Sequence, residues 1–210
     1  MSTLLTLAIA FPAGWALWSL AEYLLHRFAM HDLHGKGIMS REHLEHHVTS
    51  GWSFDRNHIL SWTGMLLVGA VLWAPLGWVS VSPLAGVTLA VGWAWGYFFY
   101  EYHHAMSHLR APSNRYHRLV RRHHFHHHFG APMANHGVTV PAWDHVFGTH
   151  QRPERVRVPR RLVVPWLVDE TGEVKPEYAD DYVLVGAAEP GERLLMLDRV
   201  RAFASVAPAD

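Results

Sequence analysis

The chain has 210 residues; half are hydrophobic, only 17% are charged, and it contains 10 Trp and 19 His but no Cys. Its 18 basic and 18 acidic residues balance, which disfavours a polyanion-binding surface and hence a nucleic-acid partner. The lack of cysteine excludes thiolate zinc sites, iron–sulfur clusters and disulfides, so any metal must be bound by nitrogen and oxygen ligands.

An apolar stretch at residues 4–25 is long enough to cross a hydrocarbon core of about 30 Å as a helix. A secretory signal peptide is the alternative, but no Lys or Arg precedes Arg27, and such peptides begin with positive charge. Further apolar stretches at residues 59–79 and 84–102 are joined by a short uncharged turn. We predict three membrane spans, with a buried helical hairpin in a soluble protein as the alternative for the last two.

The basic residues that flank these stretches fall on one side of the predicted spans. They are Arg27, Lys36, Arg41, Arg56 and the arginines of residues 110–122. Because cytoplasmic loops carry an excess of Lys and Arg, the histidines and the C-terminus are predicted to be cytoplasmic and the N-terminus outside.

All 19 histidines lie between His26 and His150. Ten form four clusters, with the patterns H-x4-H, H-x2-H-H, H-x3-H and H-x2-H-H: His26 and His31; His43, His46 and His47; His104 and His108; His124, His127 and His128. On a helix, each triplet emerges from one face and is expected to converge on a single point. His26 and His31 stand about 140° apart on a regular helix, so either the helix unwinds there or the two bind different metals.

Ten clustered imidazoles indicate metal binding. Without a cation, each ring would need hydrogen-bond partners, and protonated rings would repel one another. Ten ligands suit two ions with four or five nitrogens each, although imidazole alone does not distinguish zinc, iron, copper and nickel. The last cluster has a rival register at His123, His126 and His127, and His103 competes with His104. Isolated histidines such as His34, His58, His117, His145 and His150 are interpreted as ordinary core or surface residues.

The four clusters in this order resemble the fatty acid hydroxylase and sterol desaturase superfamily of membrane di-iron enzymes. The segment G-V-T-V-P-A-W-D-H-V-F-G-T at residues 137–149 is similar to the one that follows the last cluster in fatty acid 2-hydroxylases. The family's spacing back from Gly137 selects His124, His127 and His128, and the resemblance, over residues 22–149, implies that all ten clustered histidines are catalytic metal ligands. It further suggests supporting roles beside the ligands for His103, His123, His136 and Asp144, with His136 as an additional ligand candidate where the family commonly has an aromatic residue. Trp143 with Asp144 matches the family's W-D pair.

The resemblance implies an integral-membrane oxygenase that hydroxylates an unactivated C–H bond of a lipid acyl chain. It implies O2, two iron ions, with zinc as an alternative occupant, and a separate ferredoxin- or cytochrome-like electron donor. A carotenoid hydroxylase and a sterol or lipid desaturase are alternatives within the superfamily. A membrane metal-binding or transport protein is the alternative from another class, but it predicts polar residues within the spans, which offer few beyond Ser61, Thr63 and Thr88. A soluble histidine-rich zinc protein is a third.

The composition changes near Gln151, after which prolines are frequent and histidine is absent. We predict a membrane-embedded di-metal domain at residues 1–150 and a C-terminal cytosolic extension of unknown role at residues 151–210. The predicted fold class is an all-α membrane protein with about three transmembrane helices, a cytosolic helical histidine-rich cap and a small mixed C-terminal appendage. Within the appendage, residues 163–168 and 182–185 are predicted strands and residues 193–203 a helix. Ser113 or Asn114 is predicted to cap the last histidine helix, which ends at Gly130.

Overall fold

The computed structural model describes residues 2–54 and 56–210 and is mostly helical. In chain order, the helices are α1 (Thr3–Leu24), α2 (Ile38–Thr49), α3 (Arg56–Val68), α4 (Ala74–Ser80), α5 (Pro83–Leu109), α6 (Arg115–Phe129), α7 (Ala142–Val146) and α8 (Glu192–Phe203). A π-helical turn at Leu25–His31 continues α1, and a second at Gly69–Trp73 joins α3 to α4. Two short strands, β1 (Val156–Pro159) and β2 (Tyr182–Val185), pair in parallel with Val156 opposite Tyr182.

The chain divides into two compact units. The first contains Met1–Glu22 and Ser53–Tyr102, and the second contains Tyr23–Trp52 and His103–Asp210. The ten clustered histidines all fall in the second unit, together with the whole of the predicted C-terminal extension. The predicted boundary at residue 150 stays a prediction, and residue 1, where the first predicted domain begins, lies outside the described residues.

In the first unit, glycines bring the helix backbones of α1 and α5 close together. A Cβ on Gly14 would lie 2.1 Å from the carbonyl oxygen of Leu89, and one on Gly92 would lie 2.2 Å from that of Phe11. The Trp18 ring packs edge-on against Trp93, with ring centroids 5.1 Å apart. Small residues at such crossings let large neighbouring side chains interlock, as is common where apolar helices pack without water.

Within the part of the chain that the structure describes, two helical stretches are long and apolar enough to cross a membrane, as judged by length and composition: Thr3–His31 and Arg56–Ser80. They contain the first two predicted spans. The third predicted span, residues 84–102, is helical within α5 but is not among these two. Its five Trp and Tyr residues and Glu101 lower its mean hydropathy, so the count of three spans stays a prediction.

In the second unit, α6 separates the histidines from an apolar core built with the C-terminal residues. Phe125 and Phe129 of α6 belong to a buried cluster with residues of the extension: Val156, Val158, Leu162, Val164, Trp166, Leu167, Tyr178 and Tyr182. Asn114 caps α6 by accepting a hydrogen bond from the His117 amide at 2.8 Å, and the helix ends before Gly130, as predicted.

The secondary structure predicted for the extension is partly wrong. The helix and the strand at residues 182–185 are confirmed, with the helix beginning one residue earlier, at Glu192. Residues 163–168 form no strand; only Val168 bridges Val174, and the partner of β2 is β1 instead. The reason is Pro165, which has no amide hydrogen and therefore interrupts a strand ladder.

The close crossing of α1 and α5 predicts that Gly14→Ala destabilises the protein. The added methyl group would overlap the Leu89 carbonyl, and overpacking of this kind costs about 1–3 kcal/mol. Gly64→Ala is the matched control, because nothing lies within 4 Å of its Cβ and alanine favours a helix by about 0.5–1 kcal/mol. Thermal unfolding in detergent should show a lower Tm for Gly14→Ala and an unchanged or higher Tm for Gly64→Ala. Equal Tm values would contradict the crossing.

Candidate metal centre

The first histidine pair lies on the π-helical turn Leu25–His31. In this conformation hydrogen bonds join residues five apart, as opposed to four in an α-helix. His26 and His31 therefore face the same side, and their ring centroids lie 5.3 Å apart. The sequence left two possibilities open: either the helix changes locally, or His26 and His31 bind different metals. The structure shows the first, a local change from α-helix to π-helix.

The ten clustered histidines form two groups of five. One contains His26, His31, His43, His47 and His127; the other contains His46, His104, His108, His124 and His128. Within each group, one ring nitrogen per residue lies within 4.8 Å of all the others. The two groups are neighbours, since the rings of His47 and His128, one from each group, stack with centroids 4.1 Å apart.

Each histidine triplet is divided between the two groups, so the prediction that a triplet converges on one point is wrong. His43 and His47 join the first group while His46 joins the second, and α6 divides in the opposite sense, with His127 in the first group. On a helix, positions i+3 and i+4 lie on opposite sides of position i and about 100° apart. One triplet thus reaches two centres, which explains how two short helices contribute to both.

Several of these rings are oriented by hydrogen bonds from the nitrogen that points away from its group. The Nδ1 atoms of His26, His46, His108 and His127 donate to the backbone carbonyls of His136, Gly51, Ser50 and Ala134, at 2.6–2.8 Å. His31 Nδ1 lies 3.1 Å from Ser205 Oγ, which itself donates to the His31 carbonyl at 3.3 Å. A carbonyl only accepts, so these contacts place the proton on Nδ1 and leave Nε2 with a free lone pair.

The inner nitrogens consequently approach one another lone pair to lone pair. His31 Nε2 lies 3.0 Å from His127 Nε2, and neither atom carries a hydrogen to share when both rings are neutral. His31 Nε2 is also 2.8 Å from His43 Nε2. Two nitrogens bound at about 2.1 Å and at a right angle to one ion lie about 3.0 Å apart. The donor set therefore fits a metal ion in each group. In the second group the buried His128 Nε2 has no hydrogen-bond partner among the described residues.

Burial keeps these imidazoles neutral. Desolvation lowers the pKa of His43, His47, His124, His127 and His128 well below the ordinary value, and repulsion from neighbouring imidazoles lowers it further. Neutral imidazole is the form that donates a lone pair to a metal, so the environment favours the ligating state.

The competing histidines lie outside both groups. His123 Nε2 contacts Asp144 Oδ2 at 3.0 Å, and His126 Nε2 contacts Gln151 Oε1 at 3.1 Å, so the rival register of α6 is not the one brought together. His103 packs against Tyr116 and His117, with ring centroids 5.3 Å away in both cases.

Asp144 is fully buried and holds the loop that follows α6. Its carboxylate accepts from the His136 amide at 2.8 Å, the Gly137 amide at 2.8 Å and the Thr149 hydroxyl at 2.7 Å, besides contacting His123. Desolvation raises the pKa of Asp144, but hydrogen bonds from His123, Thr149 and Gly137 outweigh it and hold this pKa well below its usual range. The His136 amide donates to Asp144, and the His136 carbonyl accepts from His26. Asp144 therefore helps to position the His26 ring by fixing the backbone of His136.

His136 is the sixth imidazole beside the first group. Its ring centroid lies 5.3 Å from that of His26 and 5.5 Å from that of His127, yet it is not one of the five that converge. Neither ring nitrogen has a hydrogen-bond partner of good geometry among the described residues. Desolvation, followed by repulsion from His26, lowers the pKa of His136 to about 3.

Other residues that shape the site gave no recognisable signal in the sequence. Four non-glycine residues in the described chain have a positive φ, and three of them, Ser50, Asn135 and Ser205, lie at or beside groups that accept from the histidines. Their backbone carbonyls and left-handed conformations do not follow from residue type alone, although Asn is comparatively tolerant of this region. The missed features are therefore conformational.

Comparisons with known proteins agree with this geometry. The fatty acid hydroxylase family profile matches residues 11–149, so the chain belongs to that family. The chain is 30% identical over 152 residues to a dihydroceramide fatty acyl 2-hydroxylase from Arabidopsis thaliana, covering 68% of this chain and 60% of the relative. No solved structure gives a significant match.

Two other relatives match a similar share of this chain at similar identity. A ceramide very long chain fatty acid hydroxylase from Schizosaccharomyces pombe is 29% identical over 143 residues, which is 66% of this chain and 41% of the relative. A human fatty acid 2-hydroxylase is 29% identical over 148 residues, which is 66% of this chain and 38% of the relative. The chain thus spans only part of the length of these relatives.

The Asp144 contacts predict that Asp144→Asn destabilises the protein. An amide would replace one acceptor oxygen with a donor facing other donors, and leaving buried groups unpaired costs about 2–4 kcal/mol in total. Asp180→Asn, at an exposed position, is the control. Because the folded pKa of Asp144 is depressed, its stabilisation is present above the unfolded pKa and is lost as pH falls through the folded pKa. Unfolding in detergent at pH 7 and at lower pH should show a deficit that narrows on acidification; a constant deficit would contradict the charge contribution.

Proposed function

We propose that this protein is an integral-membrane di-iron oxygenase that hydroxylates an unactivated C–H bond of a lipid acyl chain. The observation that carries the proposal is the pair of neighbouring five-imidazole groups. Inward lone pairs lie at His31 and His127 in the first group and at His46 and His108 in the second. Family membership over residues 11–149 and the hydroxylase names of the relatives support the same reaction class.

The proposed ligands are the ten residues of the two groups. His26, His31, His43, His47 and His127 would hold one ion, and His46, His104, His108, His124 and His128 the other. His136, the extra imidazole beside the first group, is proposed to support it, and His123 to support Asp144. His103 remains a proposed supporting residue, placed beside Tyr116.

Iron is proposed because, when bound, it supplies the redox chemistry with O2 that zinc lacks, although zinc also fits imidazole ligands. The protein's part is to hold ten neutral imidazoles in place, and it fixes four of them through outward hydrogen bonds from Nδ1: His26, His46, His108 and His127. Burial of the two groups excludes bulk water from the reacting region. Hydroxylation also consumes two electrons and two protons, which an external donor and solvent must provide.

We place the apolar helices in the membrane. α3 contains no buried residue, and large apolar side chains such as Leu60, Leu67 and Leu72 are exposed. An apolar surface of this extent needs a lipid or protein cover. The proposed orientation has three spans, with the histidine groups and the C-terminus cytoplasmic, and rests on the charge asymmetry of the sequence.

The electron donor is proposed to be a separate acidic ferredoxin- or cytochrome-like protein that docks at an arginine-lined cleft in the second unit. The cleft has a volume of about 230 Å³ and is lined by Arg115, Arg118, Arg122 and Arg152, with His123 and His150 on its wall. Asp181 is the one acidic residue among the described residues that line the cleft, and it pairs with Arg118 and Arg122. From His123, hydrogen bonds through Asp144 and the backbone of His136 lead to His26.

Two observations weigh on the alternatives. A carotenoid hydroxylase or a sterol or lipid desaturase would use the same centre, so only the product separates them from an acyl hydroxylase. A metal transporter would need polar groups along its spans, yet the Thr63 hydroxyl donates to the carbonyl of Ile59 in its own helix at 2.9 Å. This disfavours transport.

The proposed chemistry predicts two metal ions per chain and a hydroxylated lipid. Expression in a lipid-producing host should yield a 2-hydroxy acyl product, and the detergent-purified protein should hold two iron equivalents. His124→Ala should lower metal content and abolish product, because it removes a ligand of the second group. His126→Ala is the control from the rival register on the same helix, and it should retain both metals and activity.

The outcomes separate the alternatives. A product with a new double bond would indicate a desaturase, and a hydroxylated carotenoid would indicate a carotenoid hydroxylase of the same superfamily. A metal-free protein that remains active, or equal metal loss in His124→Ala and His126→Ala, would contradict the proposed centre.

The arginine-lined cleft predicts that Arg115→Glu combined with Arg152→Glu weakens use of an acidic donor. At low ionic strength, the concentration of an acidic [2Fe–2S] ferredoxin that gives half-maximal turnover should rise at least about tenfold, since electrostatic steering is lost. Turnover driven by a small chemical reductant should not change. Arg193→Glu, on the exposed face of α8, is the matched charge control. Equal effects of the double variant and the control would contradict docking at the cleft.

A further inference from the structure

The C-terminal residues lie outside the family match, which ends at residue 149, yet they are built into the histidine-bearing unit. Trp166 of the extension donates its indole hydrogen to the carbonyl of Ser107, next to His108, at 2.9 Å. The extension also shares a buried apolar core with Phe125 and Phe129 of α6. It is therefore held firmly against the helices that carry the candidate ligands.

A second set of contacts fixes α8 and the residues after it. Arg161 donates twice to Asp198, at 2.6 and 2.8 Å, and both side chains are almost fully buried. Asp198 also accepts from the Ala209 amide at 3.1 Å, which ties the C-terminal end back to α8. The Phe203 ring packs on Gly35, where a Cβ would come within 2.7 Å of it. The turn between these anchors is thus held in one conformation.

Ser205 occupies this turn in a left-handed conformation, with φ +54°, and is 5% exposed. Glycine is the usual residue at this position after a helix, because it adopts positive φ without steric strain. The Ser205 amide donates to Ala202 at 2.9 Å and the Val206 amide to Arg201 at 2.9 Å, contacts that glycine would make equally well. The backbone therefore does not explain a serine here.

The Ser205 hydroxyl instead contacts His31. It accepts from His31 Nδ1 at 3.1 Å and donates to the His31 carbonyl at 3.3 Å, so its single hydrogen and one lone pair are both used. This pairing holds the His31 ring with its Nε2 directed to the first group, 3.0 Å from His127 Nε2. Of the five outer contacts described above, the other four end on backbone carbonyls, and only this one depends on a side chain.

We propose that Ser205 is a positioning residue for the first metal ion, and that the C-terminal extension serves to deliver its hydroxyl to His31. The inference rests on the proposed function in so far as His31 is a metal ligand. The extension then has a defined role: it completes the hydrogen-bonded surroundings of a site whose ligands all come from the family-matched part of the chain. Removal of an outer partner of this kind typically lowers metal affinity about 10–100-fold.

The test compares variants that separate two properties of Ser205, namely the backbone strain of its positive φ and the presence of its hydroxyl group. Ser205→Gly relieves the strain of positive φ but removes the hydroxyl, whereas Ser205→Thr keeps the hydroxyl and adds strain as a β-branched residue. Ser205→Ala removes the hydroxyl without relieving strain. Arg199→Ala removes the exposed ion pair of α8 with Glu45 and the contact of the guanidinium with the Phe203 ring, but it leaves the Ser205 hydroxyl in place. It therefore controls for general loosening of the extension.

Metal binding is measured on the purified full chain by cobalt(II) titration, from the visible absorption of each bound ion, and by competition with a chelator. Tm is measured in parallel. We expect Ser205→Gly and Ser205→Ala to bind one of two ions about 10–100-fold more weakly, while Ser205→Thr and Arg199→Ala bind both as the wild type does. Tm should not follow metal affinity: Ser205→Gly should be at least as stable as Ser205→Thr although it binds one ion more weakly.

Metal affinity that follows Tm, or two ions held equally tightly in Ser205→Gly and the wild type, would overturn the role of the hydroxyl. If Ser205→Thr does not fold, the comparison of Ser205→Gly with Arg199→Ala decides alone. A wild-type protein that binds no cobalt would instead contradict the proposed function itself, so the two failures are distinguishable.

Discussion

The structure depends on the approach of uncharged nitrogen lone pairs to one another inside a buried space. His31 and His127 meet at 3.0 Å, with both outer nitrogens committed to donating hydrogen bonds. Burial disfavours protonation of such rings, and hydrogen bonding cannot relieve the contact, so a cation is the remaining source of stabilisation. In the second group, His46 and His108 likewise direct Nε2 lone pairs inward, and among the described residues the buried His128 Nε2 has no hydrogen-bond partner. A cation in each group explains why ten imidazoles are placed together in a chain that otherwise has few charges.

The rest of the second unit can be understood as a set of supports for this arrangement. The outward hydrogen bonds end on carbonyls of the segments that follow α2 and α6, and left-handed residues at Ser50 and Asn135 lie at or beside them. Asp144 fixes the loop after α6 through four contacts, and that loop supplies acceptors for His26 and His127. The backbone strain of these positive φ values therefore occurs where carbonyl groups must be oriented toward the histidines. Strain of this kind is common at functional sites.

Much of the centre was predictable because metal ligation needs particular residue types at helical spacings. The four clusters identified the ten histidines that the structure brings together, and family spacing selected His124 over His123. The division of each triplet between two groups was not predicted, because helical spacing describes which residues are near one another and not how many centres they face. The π-helical turn was one of two outcomes that the His26–His31 spacing left open. Carbonyl acceptors, positive φ values and the Ser205 contact depend on tertiary structure. The strand at residues 163–168 was wrong because apolar character was weighted above Pro165.

The central claim is that two ions are held side by side by five imidazoles each. The most direct measurement is a crystal structure of the iron-loaded protein, with anomalous scattering recorded at the iron absorption edge. The account predicts two anomalous peaks, one within coordinating distance of the inner nitrogens of the group that contains His127 and the other equally close to those of the group that contains His128. A single peak, or peaks bound elsewhere while these rings point away from one another, would contradict it.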